Sequence, residues 1–167
     1  MRMTRRSFSV LSLAAVAAVT LAGCRDNGPA NGLPTDAGQG LYPSIAVSGS
    51  KGTAQVDLSL RQVPGGIRFA SYQGELAYDA SVLTFQSATL PEGVEGAANL
   101  VSPGHVRFAA SALDGTTGAP MLQLRFATHG AVVKETFTVS FEEITQDGDF
   151  TDLTAQVKPD QLLFQSR

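Results

Sequence analysis

The chain has 167 residues, 43% of them hydrophobic, with twelve Lys and Arg against fifteen Asp and Glu, a single cysteine and no tryptophan. That size suits one domain with a real apolar core. No basic stripe runs through it, which argues against nucleic acid as a partner, and a lone thiol leaves no disulfide framework and no cysteine metal site.

The chain opens on Arg2, Arg5 and Arg6, followed by an apolar run of 15 residues from Phe8 to Ala22. A comfortable membrane span needs about 20 residues, so this reads as an export signal. Thr4-Arg5-Arg6-Ser7-Phe8 resembles a twin-arginine motif; the general secretory route is the alternative. The run closes on Leu21-Ala22-Gly23-Cys24, which resembles a bacterial lipobox. That resemblance implies cleavage before Cys24 and acylation of its sulfur with palmitate-type chains. One acyl chain holds a protein only marginally and two or more hold it stably. Arg25 follows the cysteine where an Asp would favour inner-membrane retention, so the expected address is the cell envelope, outer membrane ahead of inner. The expected organisation is a signal peptide over 1–23, a lipidated flexible linker over 24–42 and a folded domain over 43–167. Removal of the signal leaves nine basic residues against fifteen acidic, a balance of −6.

The linker reading rests on Asn27-Gly28-Pro29, Asn31-Gly32, Pro34 and Gly38-Gln39-Gly40, which are turn formers with little apolar content between them. An ordered N-terminal loop is the alternative.

From Pro43 the pattern turns to period two. Ala54, Val56, Leu58 and Leu60 alternate with polar residues, as do Tyr72, Gly74, Leu76 and Tyr78. The same holds for Val106, Phe108, Ala110 and Ala112, for Leu122, Leu124 and Phe126, and for Phe137, Val139 and Phe141. Each run predicts an antiparallel strand with one buried face. Shorter strands are expected over Ile45–Val47, Val82–Ala88 and Leu162–Phe164. Pro64-Gly65-Gly66, Pro91-Glu92-Gly93, Pro103-Gly104, Asp114-Gly115 and Asp147-Gly148 read as the turns between strands. No helical stripe follows the signal, so the fold class is all-β, an antiparallel β-sandwich of roughly nine strands.

The stretch Phe69 to Phe85, with Tyr78-Asp79 ending one strand and Leu83 opening the next, resembles the cohesin signature, with Ala80 where proline is usual. His105–Leu113, Asp114-Gly115 and Pro120–Phe126 resemble the strands that follow in that family. The resemblance spans about Pro43 to Gln165. It implies a nine-stranded jelly roll that docks a partner module, the dockerin, on one flat sheet face. The strand ending at Tyr78 contributes Ser71, Gln73 and Glu75 to that face, and the sixth strand adds Arg107, Ala109 and Ser111, ahead of Leu113. Ser71 and Gln73 depart from the Asn and Asp that many cellulosomal cohesins carry there. A plain solvated sheet face is the alternative.

Asp79 is expected to cap the turn Ala80-Ser81 by accepting backbone N–H bonds. Asp147, Asp149 and Asp152 form an acidic cluster, but Asp152 stands where an EF-hand needs glycine and Lys158 where it needs glutamate. They remain weak candidates for a calcium loop, with a solvated hairpin the alternative. No other cofactor is expected. His105 and His129 lie 24 residues apart with no nucleophile motif nearby. Glu142 and Glu143, adjacent in a regular strand, would point to opposite faces and form no acid/base pair. The expectation is a non-catalytic binding protein. The candidate partners are a protein on one sheet face, a polysaccharide, or neighbours in a structural envelope assembly. Three tyrosines and no tryptophan are a poor supply for sugar stacking, since Tyr72 and Tyr78 read as inward.

Overall fold

The computed structural model describes residues 37–166. Cys24, the export signal and most of the expected linker lie outside them. Nine strands form in chain order: β1 Gly40–Ser50, β2 Thr53–Val63, β3 Phe69–Tyr78, β4 Leu83–Thr89, β5 Glu95–Ser102, β6 His105–Thr116, β7 Leu122–Thr128, β8 Phe137–Gln146 and β9 Leu163–Ser166. They make two sheets, ordered β4-β7-β2-β1-β9 and β5-β6-β3-β8.

The alternation in sequence explains the packing. In β2, Ala54, Val56, Leu58 and Leu60 are buried while Gln55, Asp57, Ser59 and Arg61 are half-buried. In β6, Val106, Phe108, Ala110 and Ala112 are buried while His105, Arg107, Ala109 and Ser111 are exposed. Such strands have one stable arrangement, with their apolar faces pressed together as a sandwich. Ile45, Val56, Leu58, Phe69, Leu76, Val106, Leu122 and Phe126 meet in the shared core. Tyr78 and Phe85 pack edge-on against the Phe126 ring, at centroid distances of 4.9 and 5.9 Å. Tyr72 donates its hydroxyl hydrogen to the Met121 carbonyl at 2.7 Å, so its polar tip is satisfied inside the core. Burial pushes the Tyr72 phenol well above its ordinary range, because the phenolate would be desolvated.

The architecture departs from the sequence reading in four places. Strand β1 begins at Gly40, not near Ile45, and buries Leu41 and Tyr42. Gly40–Tyr42 therefore belong to the sandwich, not to the tether. Strand β9 runs parallel to β1, pairing Ser44 with Leu163 and Ile45 with Phe164, so the sheet is not wholly antiparallel. Asp114-Gly115 does not end a strand. It lies within β6, where the register against β3 slips from Ser71↔Ser111 to Phe69↔Thr116. Gly115 takes φ +63° there, a left-handed conformation that suits glycine. The Asp114 and Gly115 carbonyls both accept from the Arg68 guanidinium, which holds this irregular stretch in place. Finally, β5 has no alternating signature. It is an edge strand paired only with β6, and nearly all of it is exposed.

Candidate functional site

The outward side of the sheet β5-β6-β3-β8 is laid out in three ranks by strand register. Glu95, Ser111, Ser71 and Thr145 form one rank. Ala97, Ala109, Gln73 and Glu143 form the next, and Asn99, Arg107, Glu75 and Ser140 the third. The expected residues Ser71, Gln73, Glu75, Arg107, Ala109 and Ser111 thus share one face on adjacent strands. Leu113 extends the β6 row beyond the first rank and is 97% exposed. Inward-facing Gly74 lies behind the middle of this face. A Cβ there would run into the Ser140 carbonyl oxygen and come within 3.0 Å of Phe108 Cζ, so only glycine fits.

Charge is concentrated in the third rank and along β8. The Arg107 guanidinium donates to both carboxylate oxygens of Glu142, at 2.6 and 2.7 Å, reaching across β3. His105 Nδ1 lies 2.6 Å from Glu75 Oε1. Both pairs are substantially solvated, so each contributes at most about 1 kcal/mol to stability. Both pairs lie along one border of the face.

Glu142 reaches Arg107 because β8 carries a bulge. Gln73 pairs with Glu143, but the next residue, Gly74, pairs with Phe141. The extra residue puts both Glu142 and Glu143 on the exposed side, correcting the expectation that they point to opposite faces. Burial falls on Phe137, Val139 and Ile144, with Phe141 half-buried against the core. The step of three from Phe141 to Ile144 breaks the period of two, and this was the available signal. Glu95, Ala97 and Asn99 from β5 were missed for want of any such pattern.

Between Glu95 and Glu143 the face sinks into a shallow depression of about 310 Å³, lined by Ser71, Gln73, Gly96, Ala109 and Ser111. Small side chains make it: Ala109 sits between Ala97 and Gln73, and Ser111 between Glu95 and Ser71. Ser71 Oγ and Thr145 Oγ1 lie 2.7 Å apart and satisfy one another. A second depression, of about 420 Å³, adjoins the first through Glu95 and Ser111 and is lined by Val94, Leu113 and Asp114.

The remaining candidates are occupied with their own backbone. Asp79 Oδ1 accepts from the Ser81 N–H at 2.8 Å and the Ser81 hydroxyl at 2.6 Å, while its carbonyl accepts from the Val82 and Leu83 N–H groups. It caps the turn as expected, and those bonds hold its carboxyl below the ordinary 3.8. Asp149 accepts from the Thr151 N–H at 3.1 Å, and Asp152 from the Thr154 N–H and hydroxyl at 2.8 and 2.6 Å. The same bonds lower both carboxyls. Asp147 lies 3.7 Å from the Arg68 guanidinium. The three carboxylates turn to separate partners and do not converge, and among the described residues no group of three His, Cys, Asp or Glu is placed to hold a metal ion. His129 Nε2 lies 3.0 Å from Thr84 Oγ1, far along the chain from His105 and in the other sheet's border.

No known family model matches the sequence, and no curated protein matches it. Solved structures do match the fold. A cohesin module from a Clostridium perfringens family 33 glycoside hydrolase superposes with a TM-score of 0.53 at 14% identity, over 78% of this chain and all of that one. The sixth cohesin of an Acetivibrio cellulolyticus scaffoldin, solved with a dockerin, gives 0.53 at 20% identity, over 77% of this chain and 99% of that one. The fold is cohesin-like. A non-cellulosomal cohesin from the archaeon Archaeoglobus fulgidus gives 0.52 at 13% identity, over 75% of this chain and 91% of that one. These superpositions show a cohesin-type jelly roll and, at such low identities, the fold alone.

Proposed function

We propose that this protein is a non-catalytic, lipid-anchored adaptor of the bacterial cell envelope whose cohesin-like sandwich docks a protein partner on the outer face of β5-β6-β3-β8. The observation that carries the reading is a small-floored depression on that face, bordered by the Arg107–Glu142 ion pair and the His105–Glu75 hydrogen bond and continued by a fully exposed Leu113. Small residues let a partner backbone approach closely, and an exposed leucine beside them offers an apolar anchor. The similar cohesin of Acetivibrio cellulolyticus was solved in complex with a dockerin, which supports a protein as the occupant here. Acylation of Cys24 supplies the membrane attachment, with the outer membrane as the expected site.

A polysaccharide partner has less support. Tyr42, Tyr72 and Tyr78 are all buried, and Phe150 is the one strongly exposed aromatic ring among the described residues. A sugar-stacking platform needs several such rings on one plane.

Affinity capture from envelope extract tests the reading. Wild-type protein is expected to retain a stoichiometric protein that Ala109→Arg loses, with the melting temperature unchanged because Ala109 faces solvent. Equal retention by both forms, or retention of polysaccharide alone, would overturn it.

A further inference from the structure

The Glu95 and Glu143 carboxylates border the small-floored depression from opposite sides, on β5 and β8. Register places their strands three spacings apart, about 14 Å. The arginines near this face are already committed: Arg107 is paired with Glu142, and Arg68 with Asp147 and the Asp114 and Gly115 carbonyls. Glu75 shares a hydrogen bond with His105 Nδ1. Among the described residues neither Glu95 nor Glu143 has an ion-pair partner; Glu143 meets only the Gln73 amide, at a long 3.4 Å. Asp114 lines the adjoining depression next to Leu113. The floor between Glu95 and Glu143 offers hydroxyls and methyl groups and no positive charge.

From this we infer that the docked segment is basic: it lays Lys or Arg side chains across the depression between Glu95 and Glu143, with an apolar residue beside them on Leu113. Unpaired carboxylates facing each other across an uncharged floor raise the local cation concentration and favour a positively charged partner. The inference rests on the docking reading above and narrows it to one partner chemistry. The bulge in β8 contributes directly. Without it Glu142 and Glu143 would fall on opposite faces, and one side chain could not serve Arg107 while the other stayed open.

The test is titration of the isotope-labelled chain with the peptide acetyl-Ala-Arg-Ala-amide, using acetyl-Ala-Glu-Ala-amide as control, followed by amide chemical shifts. Saturable shifts are expected at Ser71, Gln73, Glu95 and Ser111, weakening as salt is raised and absent with the Glu peptide. In Glu95→Gln/Glu143→Gln, affinity should fall by about fivefold or more. Shifts that spread equally over Asp147–Asp152, or that survive the double substitution, would overturn the inference. The two readings fail separately. If Ala109→Arg abolishes capture of an envelope protein while the double Gln variant captures it normally, the face docks a partner but not through basic side chains. If neither substitution affects capture, the docking reading itself falls.

Discussion

Tyr72 shows most plainly how one residue serves both the core and the candidate face. Its ring lies under the depression, tilted against Phe108 at a centroid distance of 6.3 Å, and its hydroxyl bonds the Met121 carbonyl of the opposite sheet. Tyr72→Phe leaves that buried carbonyl without its donor. The expected loss is about 1–2 kcal/mol of unfolding free energy, measured by urea denaturation. An unchanged midpoint would show that the bond contributes nothing net. Tyr72 also sets a direction with pH. Its folded-state phenol titrates above the unfolded one, so the stability it confers is fully present below pH ~10 and declines as pH rises past that value. Asp79 was legible as a cap because Asp followed by a short polar turn has few other uses, and its bonds to Ser81 bear this out.

Among the elements, β5 and β8 define the character of the face, and both were poorly legible. Periodicity reports a strand only when one side is buried and the register is regular. Strand β5 fails the first condition: Ala97, Ala98 and Asn99 carry no contrast, and Leu100 and Val101 are both exposed. Strand β8 fails the second, at its bulge. By contrast β2, β3, β6 and β7 sit in sheet interiors, and their alternation gave both the strands and their facing. That is why the facing of the β3 and β6 residues was legible in the sequence and that of the β5 and β8 residues was not. The edge position has a measurable consequence. Amides of β5 should exchange with solvent at least about a hundredfold faster than those of β3, which is paired on both sides. Equal protection would mean that β5 is covered by something else.

At the scale of the whole molecule, the sandwich class followed from strand count, alternation and turn spacing, whereas the parallel β1–β9 pairing did not. A four-residue edge strand at the end of the chain carries no mark of which neighbour it will join. The domain also starts earlier than its turn formers suggest. Turn-forming Gly38-Gln39-Gly40 masks the fact that Leu41 enters the core and that the Tyr42 hydroxyl donates to the Gly38 carbonyl at 2.7 Å. A chain trimmed to begin at Pro43 should therefore be less stable than one beginning at Ala37 by about 3–5 kcal/mol, the burial of one leucine and one tyrosine. Equal urea midpoints for the two would return Leu41 and Tyr42 to the tether.

On the proposed function, one sheet face meets a protein partner in the envelope. Site-specific photocrosslinking in the native host tests it most directly, with the photoreactive side chain placed at Ala109 on one sheet or at Asp57 on the outward side of the other. A discrete protein adduct from position 109 and none from position 57 is the predicted result. Adducts of equal yield from both positions, or from 57 alone, would contradict it.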